Sequence, residues 1–193
     1  MGDDPVQAHR TARTPRGGVR GGDFDAGALF AALDHRRRQQ ALSWRQVADA
    51  IWAQSSELND RRHDHPIAVA TLTGIRKRNN ISCQHALFVL RWLGQGPEEF
   101  IADPAPGTTG SGLPEVGPDR RPRWDLGALH QATDARRREQ DLTWKELAER
   151  LGCTPSQLTG IRTARFAIGM RLAMRITQWI GRPASEFIHA APW

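Results

Sequence analysis

Apolar residues in the C-terminal half of the chain recur at helical spacing, interrupted by residues that start and stop helices. Leu147, Ala148 and Leu151 share one face of a helix. Thr143 precedes them as an N-cap, and Glu146 completes a capping box, in which each side chain serves the other residue's backbone N–H. Gly152 then ends the helix, because glycine adopts the left-handed backbone at no steric cost. The pattern predicts a first helix over Leu126–Glu139, a turn at Asp141, Leu142 and Thr143, and a second helix reaching Leu151. Thr154, Pro155, Ser156 and Gln157 repeat the start signal, with threonine as cap and proline at the first helical position. This third helix runs to about Thr163, and a fourth covers Met170–Ile180 before Gly181. A short fifth, ASEFIH, follows Pro183.

The same pattern occurs earlier in the chain. GALFAALDHRRRQQALSWRQVADAI, from Gly27, matches GALHQATDARRREQDLTWKELAERL, from Gly127, at an offset of 100 without a gap. LTGIR recurs at Leu72 and Leu158, offset by 86. Trp92 and Gly94 match Trp179 and Gly181, and Glu99 and Phe100 match Glu186 and Phe187, both offset by 87. One unit is present twice, and the first copy carries about 14 extra residues near its middle. The expected fold is all-α: two tandem units of four to five helices, over residues 23–102 and 123–193. Residues 103–122 are rich in Pro, Gly, Ser and Thr and lack apolar periodicity, so they read as a flexible linker. Residues 1–22 read as a disordered basic tail.

The segment WKELAERLGCTPSQLTGIRT, Trp144–Thr163, resembles the core of the lambda-repressor-like (XRE/Cro-type) helix-turn-helix family. The family's apolar positions are filled by Leu147, Leu151, Cys153, Leu158 and Ile161, its small residue by Ala148, and its turn glycine by Gly152. The first copy keeps Val47, Ala48, Ile51, Leu72 and Ile75 at the matching positions. Trp52 stands where the turn glycine belongs, and a loop of about 53–66 replaces the tight turn before Ile67.

The resemblance implies sequence-specific binding of double-stranded DNA by a transcriptional regulator. Recognition helices at about 68–78 and 154–163 would lie in the major groove. Carried over position by position, Thr154, Ser156, Gln157, Thr159, Gly160 and Arg162 would face the groove in the second copy. Gln157 suits adenine, and Arg162 suits guanine or a phosphate. Arg165 would meet a phosphate. The first copy offers Ala70, Thr71, Thr73, Gly74, Arg76 and Arg78, with Lys77 beside them. Lys145 and Arg45, near the start of the second helix of each copy, would meet phosphate. The opening Ala68, Val69 and Ala70 lacks polar groups for base edges, which leaves an alternative: the first copy is a protein-interaction or dimerisation module and only the second binds DNA.

Composition adds modest support. The net charge is +6, which favours an acidic partner. Only Lys77 and Lys145 among the 27 basic residues are lysine; arginine's planar fork suits phosphate and guanine, although a GC-rich genome also enriches arginine. Arg36–Arg38 and Arg136–Arg138 end the first helix of each copy, where cations complement the helix dipole. Arg10, Arg13, Arg16 and Arg20 read as a solubilising tail or a minor-groove arm. Trp44, Trp92, Trp144 and Trp179 read as core. Two cysteines, Cys83 and Cys153, without a CxxC pair, argue against a disulfide framework or zinc site and for a reducing cytoplasm. His63, Asp64 and His65 are weak metal candidates on one loop. No apolar run approaches a membrane span, no secretory signal opens the chain, and no catalytic constellation, cofactor motif or small-molecule site is evident.

Overall fold

Capping chemistry sets most helix boundaries. The computed structural model describes residues 22–61, 67–110, 112–163 and 168–192. In the first copy, α1 (Ala26–Gln39) starts at Asp25, whose side chain accepts the Ala28 N–H. Helix α2 (Trp44–Ala53) starts at the Ser43/Gln46 capping box. A one-turn α3 (Ser56–Asn59) follows, then α4 (Val69–Arg78) and α5 (Cys83–Leu93). In the second copy, α6 (Leu126–Glu139), α7 (Trp144–Leu151), α8 (Pro155–Gly160) and α9 (Met170–Ile180) repeat α1, α2, α4 and α5. Helix α8 tightens into a 3₁₀ turn over Ile161–Thr163, so the expected third helix is present but changes pitch halfway.

The described residues are mostly helical, with one small sheet. The fold is compatible with the all-α expectation, and the sheet is a small addition to it. Strands β1 (Arg121–Trp124) and β2 (Ile188–Ala191) pair antiparallel, with Trp124 opposite Ile188. The first copy has the same closure in shorter form: Phe24 bridges Ile101, at the equivalent positions. The Asp25 N–H donates to the Phe100 carbonyl at 2.8 Å, and the Asp125 N–H to the Phe187 carbonyl at 2.7 Å. Each copy is thus zipped shut where its chain enters and leaves. The expected fifth helix ASEFIH is instead a 3₁₀ turn (Ala184–Phe187) running into β2.

Packing follows the apolar pattern. Leu29, Leu33, Val47, Leu72, Ile75, Leu87 and Leu90 fill the first copy, and Leu129, Leu147, Leu151, Leu158, Ile161, Ala173 and Met174 fill the second. The buried residues of both copies form one continuous cluster. Each buried leucine contributes on the order of 2 kcal/mol by leaving water.

Of the four tryptophans expected in the core, Trp92 is buried and the other three are half-buried. Trp44 stacks on Phe30 at 5.5 Å, with the Arg37 guanidinium 4.9 Å from its ring. Trp144 stacks on His130 at 5.3 Å, with Arg137 at 4.8 Å. These arginines have structural work. Arg37 pairs with Asp34 and donates to the Leu42 carbonyl; Arg137 does the same with Asp134 and Leu142. The middle residue of each RRR triplet is therefore tied into its own fold, beyond complementing a helix dipole.

Residues 103–122 are expected to be a flexible linker, but the described parts, 103–110 and 112–122, are held by hydrogen bonds at several points. The Ala105 N–H and the Thr108 hydroxyl both donate to Gln178 Oε1, at 2.6 and 3.1 Å. Further on, the Arg91 guanidinium donates to the carbonyls of Val116, Gly117 and Arg120, and also to the Gln54 carbonyl and Ser55 Oγ. The Leu58 N–H donates to the Pro118 carbonyl, and Arg121 Nη2 to Asn59 Oδ1. The long loop of the first copy thus contributes α3 and a docking surface for this connector. Buried backbone groups need partners, and polar side chains reaching from α5 and α9 supply them. No helix among the described residues is long and apolar enough to cross a membrane.

Candidate nucleic-acid interface

The turn between α7 and α8 is built around Gly152, whose φ of +64° is left-handed. The Cys153 N–H reaches back to the Ala148 carbonyl at 3.0 Å, which closes the helix end. Arg175 Nη1 also donates to the Leu151 carbonyl there. Helix α8 then starts at once, with Thr154 capping the Gln157 N–H. Leu158 and Ile161 are buried beneath it, and Thr154, Ser156, Gln157, Thr159 and Arg162 form its exposed outer face, with Gly160 partly covered.

The polar side chains on that face differ in how free they are. Gln157 Oε1 accepts the Thr154 N–H at 2.8 Å, so the amide that would pair with adenine is turned onto its own cap. The Thr159 hydroxyl donates to the Pro155 carbonyl at 3.2 Å, and the equivalent Thr73 to the Val69 carbonyl at 3.1 Å. Ser156 is exposed, 3.3 Å from the Thr154 hydroxyl. Arg162 and Lys145 are exposed and make no ion pair within the described residues. Arg162 is close enough to His130 to act on it: burial is the first cause of the lowered His130 pKa, and the positive charge of Arg162 adds to it, against Asp134. Arg165 lies outside the described residues, as do His63, Asp64, His65 and the N-terminal arginines.

In the first copy α4 buries Leu72 and Ile75 and turns Arg76 and Lys77 to solvent. Arg78 is not a free cation. Its Nη2 donates to the Thr71 carbonyl at 3.1 Å, and a Cβ on Gly74 would fall 2.5 Å from its guanidinium. Arg78 lies back over α4, in the space that Gly74 leaves. Arg45 is 82% exposed and pairs loosely with Asp49 at 3.6 Å. Beside it, Ala48, Ile67, Ala68, Val69 and Ala70 line an apolar cleft at the start of α4. The second copy places Ser156 where this cleft has Ala70.

Several residues near these helices lie outside the positions that the sequence pattern singles out. Arg175 forms a bidentate pair with Asp23 at 2.6 and 2.7 Å, joining the two copies. That hydrogen bond is the first cause holding the Asp23 carboxyl below its usual range. Its clue was an arginine in α9 where the first copy has the apolar Phe88. Asn80, Gln157, Arg171 and Arg175 line a cleft with Gly152, Cys153 and Gly169. Cys153 is half-buried and burial raises its thiol pKa; burial pushes Cys83 to about 12, so both favour the neutral thiol. No cluster of three potential metal ligands occurs among the described residues. Comparison with family models, curated proteins and solved structures gives no match.

Proposed function

We propose that the chain is a non-enzymatic, sequence-specific binder of double-stranded DNA that regulates transcription at the cytoplasmic nucleoid, through two tandem helix-turn-helix units of lambda-repressor-like type. The observation that carries this reading is the α7–Gly152–α8 turn: it buries Leu158 and Ile161 and leaves Arg162 exposed, with Lys145 exposed at the start of α7. A short helix with an apolar underside and a polar, cationic outer face has the form needed to enter a major groove. The first copy repeats the arrangement with Arg76 and Lys77.

Selection of bound sites from a random duplex pool at stated salt tests the proposal. Arg162→Ala is expected to cost about 1–3 kcal/mol and to relax preference at one base pair. A uniform loss across all sequences would replace specific readout with general phosphate binding. A second reading assigns the first copy to a protein partner, because its α4 opens on an apolar cleft. Substituting Arg76 and Lys77 together by alanine distinguishes the two. A reduced salt slope supports DNA contact, and an unchanged slope and affinity support the protein partner.

A further inference from the structure

The seam between the copies joins equivalent residues. Ser82 and Gly169, one repeat offset of 87 apart, form an antiparallel bridge. The Cys83 N–H donates to the Ile168 carbonyl at 2.9 Å, and the Met170 N–H donates to the Ile81 carbonyl at 2.7 Å. Cys83 is equivalent to Met170, and Ile81 to Ile168. Exchanging the copies therefore turns each bond into the other, which is the signature of a twofold axis. Helices α5 and α9, themselves equivalent, pack together beside it. Arg91 and Gln178, again equivalent, grip the later and earlier parts of the connector. Thr71 of α4 and its equivalent Gln157 of α8 line two clefts that meet at Asn80 and Gly169. Both outer helices thus flank the axis.

We infer that the chain is a single-polypeptide pseudo-dimer whose DNA partner is one inverted repeat with half-sites at fixed spacing. The inference rests on the DNA-binding reading. A duplex has twofold axes of its own, perpendicular to its length, and a twofold protein matches them. Two flanking helices then meet successive major grooves on one face, about 34–36 Å apart, in opposite orientation. A freely tethered pair would instead accept direct repeats and variable gaps. The halves of the site agree where the equivalent and exposed Arg76 and Arg162 read.

Two measurements test this, and they fail separately. In the first, the selected duplex is lengthened between its half-sites. An insertion of half a helical turn, or reversal of one half-site, is expected to weaken binding roughly 100-fold or more, to the level of one half-site. A whole-turn insertion is expected to do the same, because the rigid seam cannot stretch. Retained affinity with the whole-turn insertion, or with a direct repeat, overturns the fixed pseudo-dimer while leaving DNA binding intact. The second measurement is hydrogen exchange of the free full-length chain. The Cys83 and Met170 amides belong to the first residues of α5 and α9, so no helical carbonyl protects them. Their protection reports the seam alone. Exchange slowed on the order of a thousandfold supports the twofold seam, and exchange at unstructured rates overturns it, whether or not any duplex binds.

Discussion

The two copies solve the same turn in different ways. The second makes it with one residue, Gly152, whose φ of +64° would strain any residue bearing a Cβ. The first has Trp52 at that place, adds α3, and resumes at Ile67. The added segment is not idle. Ser55 donates to the Arg120 carbonyl, Leu58 donates to the Pro118 carbonyl, and Asn59 accepts from Arg121, so the insertion and the connector hold one another. A tight turn leaves the face of α8 clear, whereas the expanded turn spends its residues on joining the halves.

That contrast can be broken from either side. The largest expected effect is at Arg91. Arg91→Ala removes the cation from a ring of carbonyls supplied by the insertion and connector, and is expected to cost about 2–4 kcal/mol in denaturant unfolding. Faster proteolysis within residues 112–120 should accompany it; resistance equal to the parent would mean the connector is held elsewhere. Gly152→Ala comes next, at about 1–2 kcal/mol, because it forces alanine into the left-handed region. Its new methyl would also press on Arg175 Nη1, at 2.9 Å. Trp52, at the equivalent place, lies within α2, so the first copy's turn has no counterpart to this sensitivity.

The smallest effect concerns His130, which stacks on Trp144 where the first copy stacks Phe30 on Trp44. Burial lowers the His130 pKa below its ordinary 6.5, so the unfolded chain takes up the proton first. Stability contributed by the neutral imidazole is therefore complete above that value and is lost as pH falls below it. His130→Phe makes the second copy like the first, and should flatten the decline in melting temperature between about pH 7 and pH 5. An unaltered pH slope would assign the decline to other groups.

Local chemistry was legible where it is self-contained. The bounds of α6, α7 and α9 follow from caps and glycines, each a choice made within a few residues. The 3₁₀ turn at Ala184–Phe187 and strand β2 were read as helix because four residues carry too little periodicity to separate the two. The connector was misread for another reason. Its Pro and Gly content describes what the backbone is able to do alone, whereas its order comes from Gln178 and Arg91, 73 and 29 residues away in sequence. At the candidate interface, the exposed cations Arg162, Arg76 and Lys77 were visible from position on the helix. The return of Arg78 onto Gly74 and of Gln157 onto Thr154 depends on rotamers that spacing does not specify.

The bonds across the seam have a consequence for how such a chain can change. They run between backbone N–H and carbonyl groups, which nearly every residue type possesses. Ser82 faces Gly169 and Cys83 answers Met170, so the side chains there have already diverged while the pairing persists. In a true homodimer any substitution alters both halves together. Here each half can be altered alone, and neither has to find its mate again.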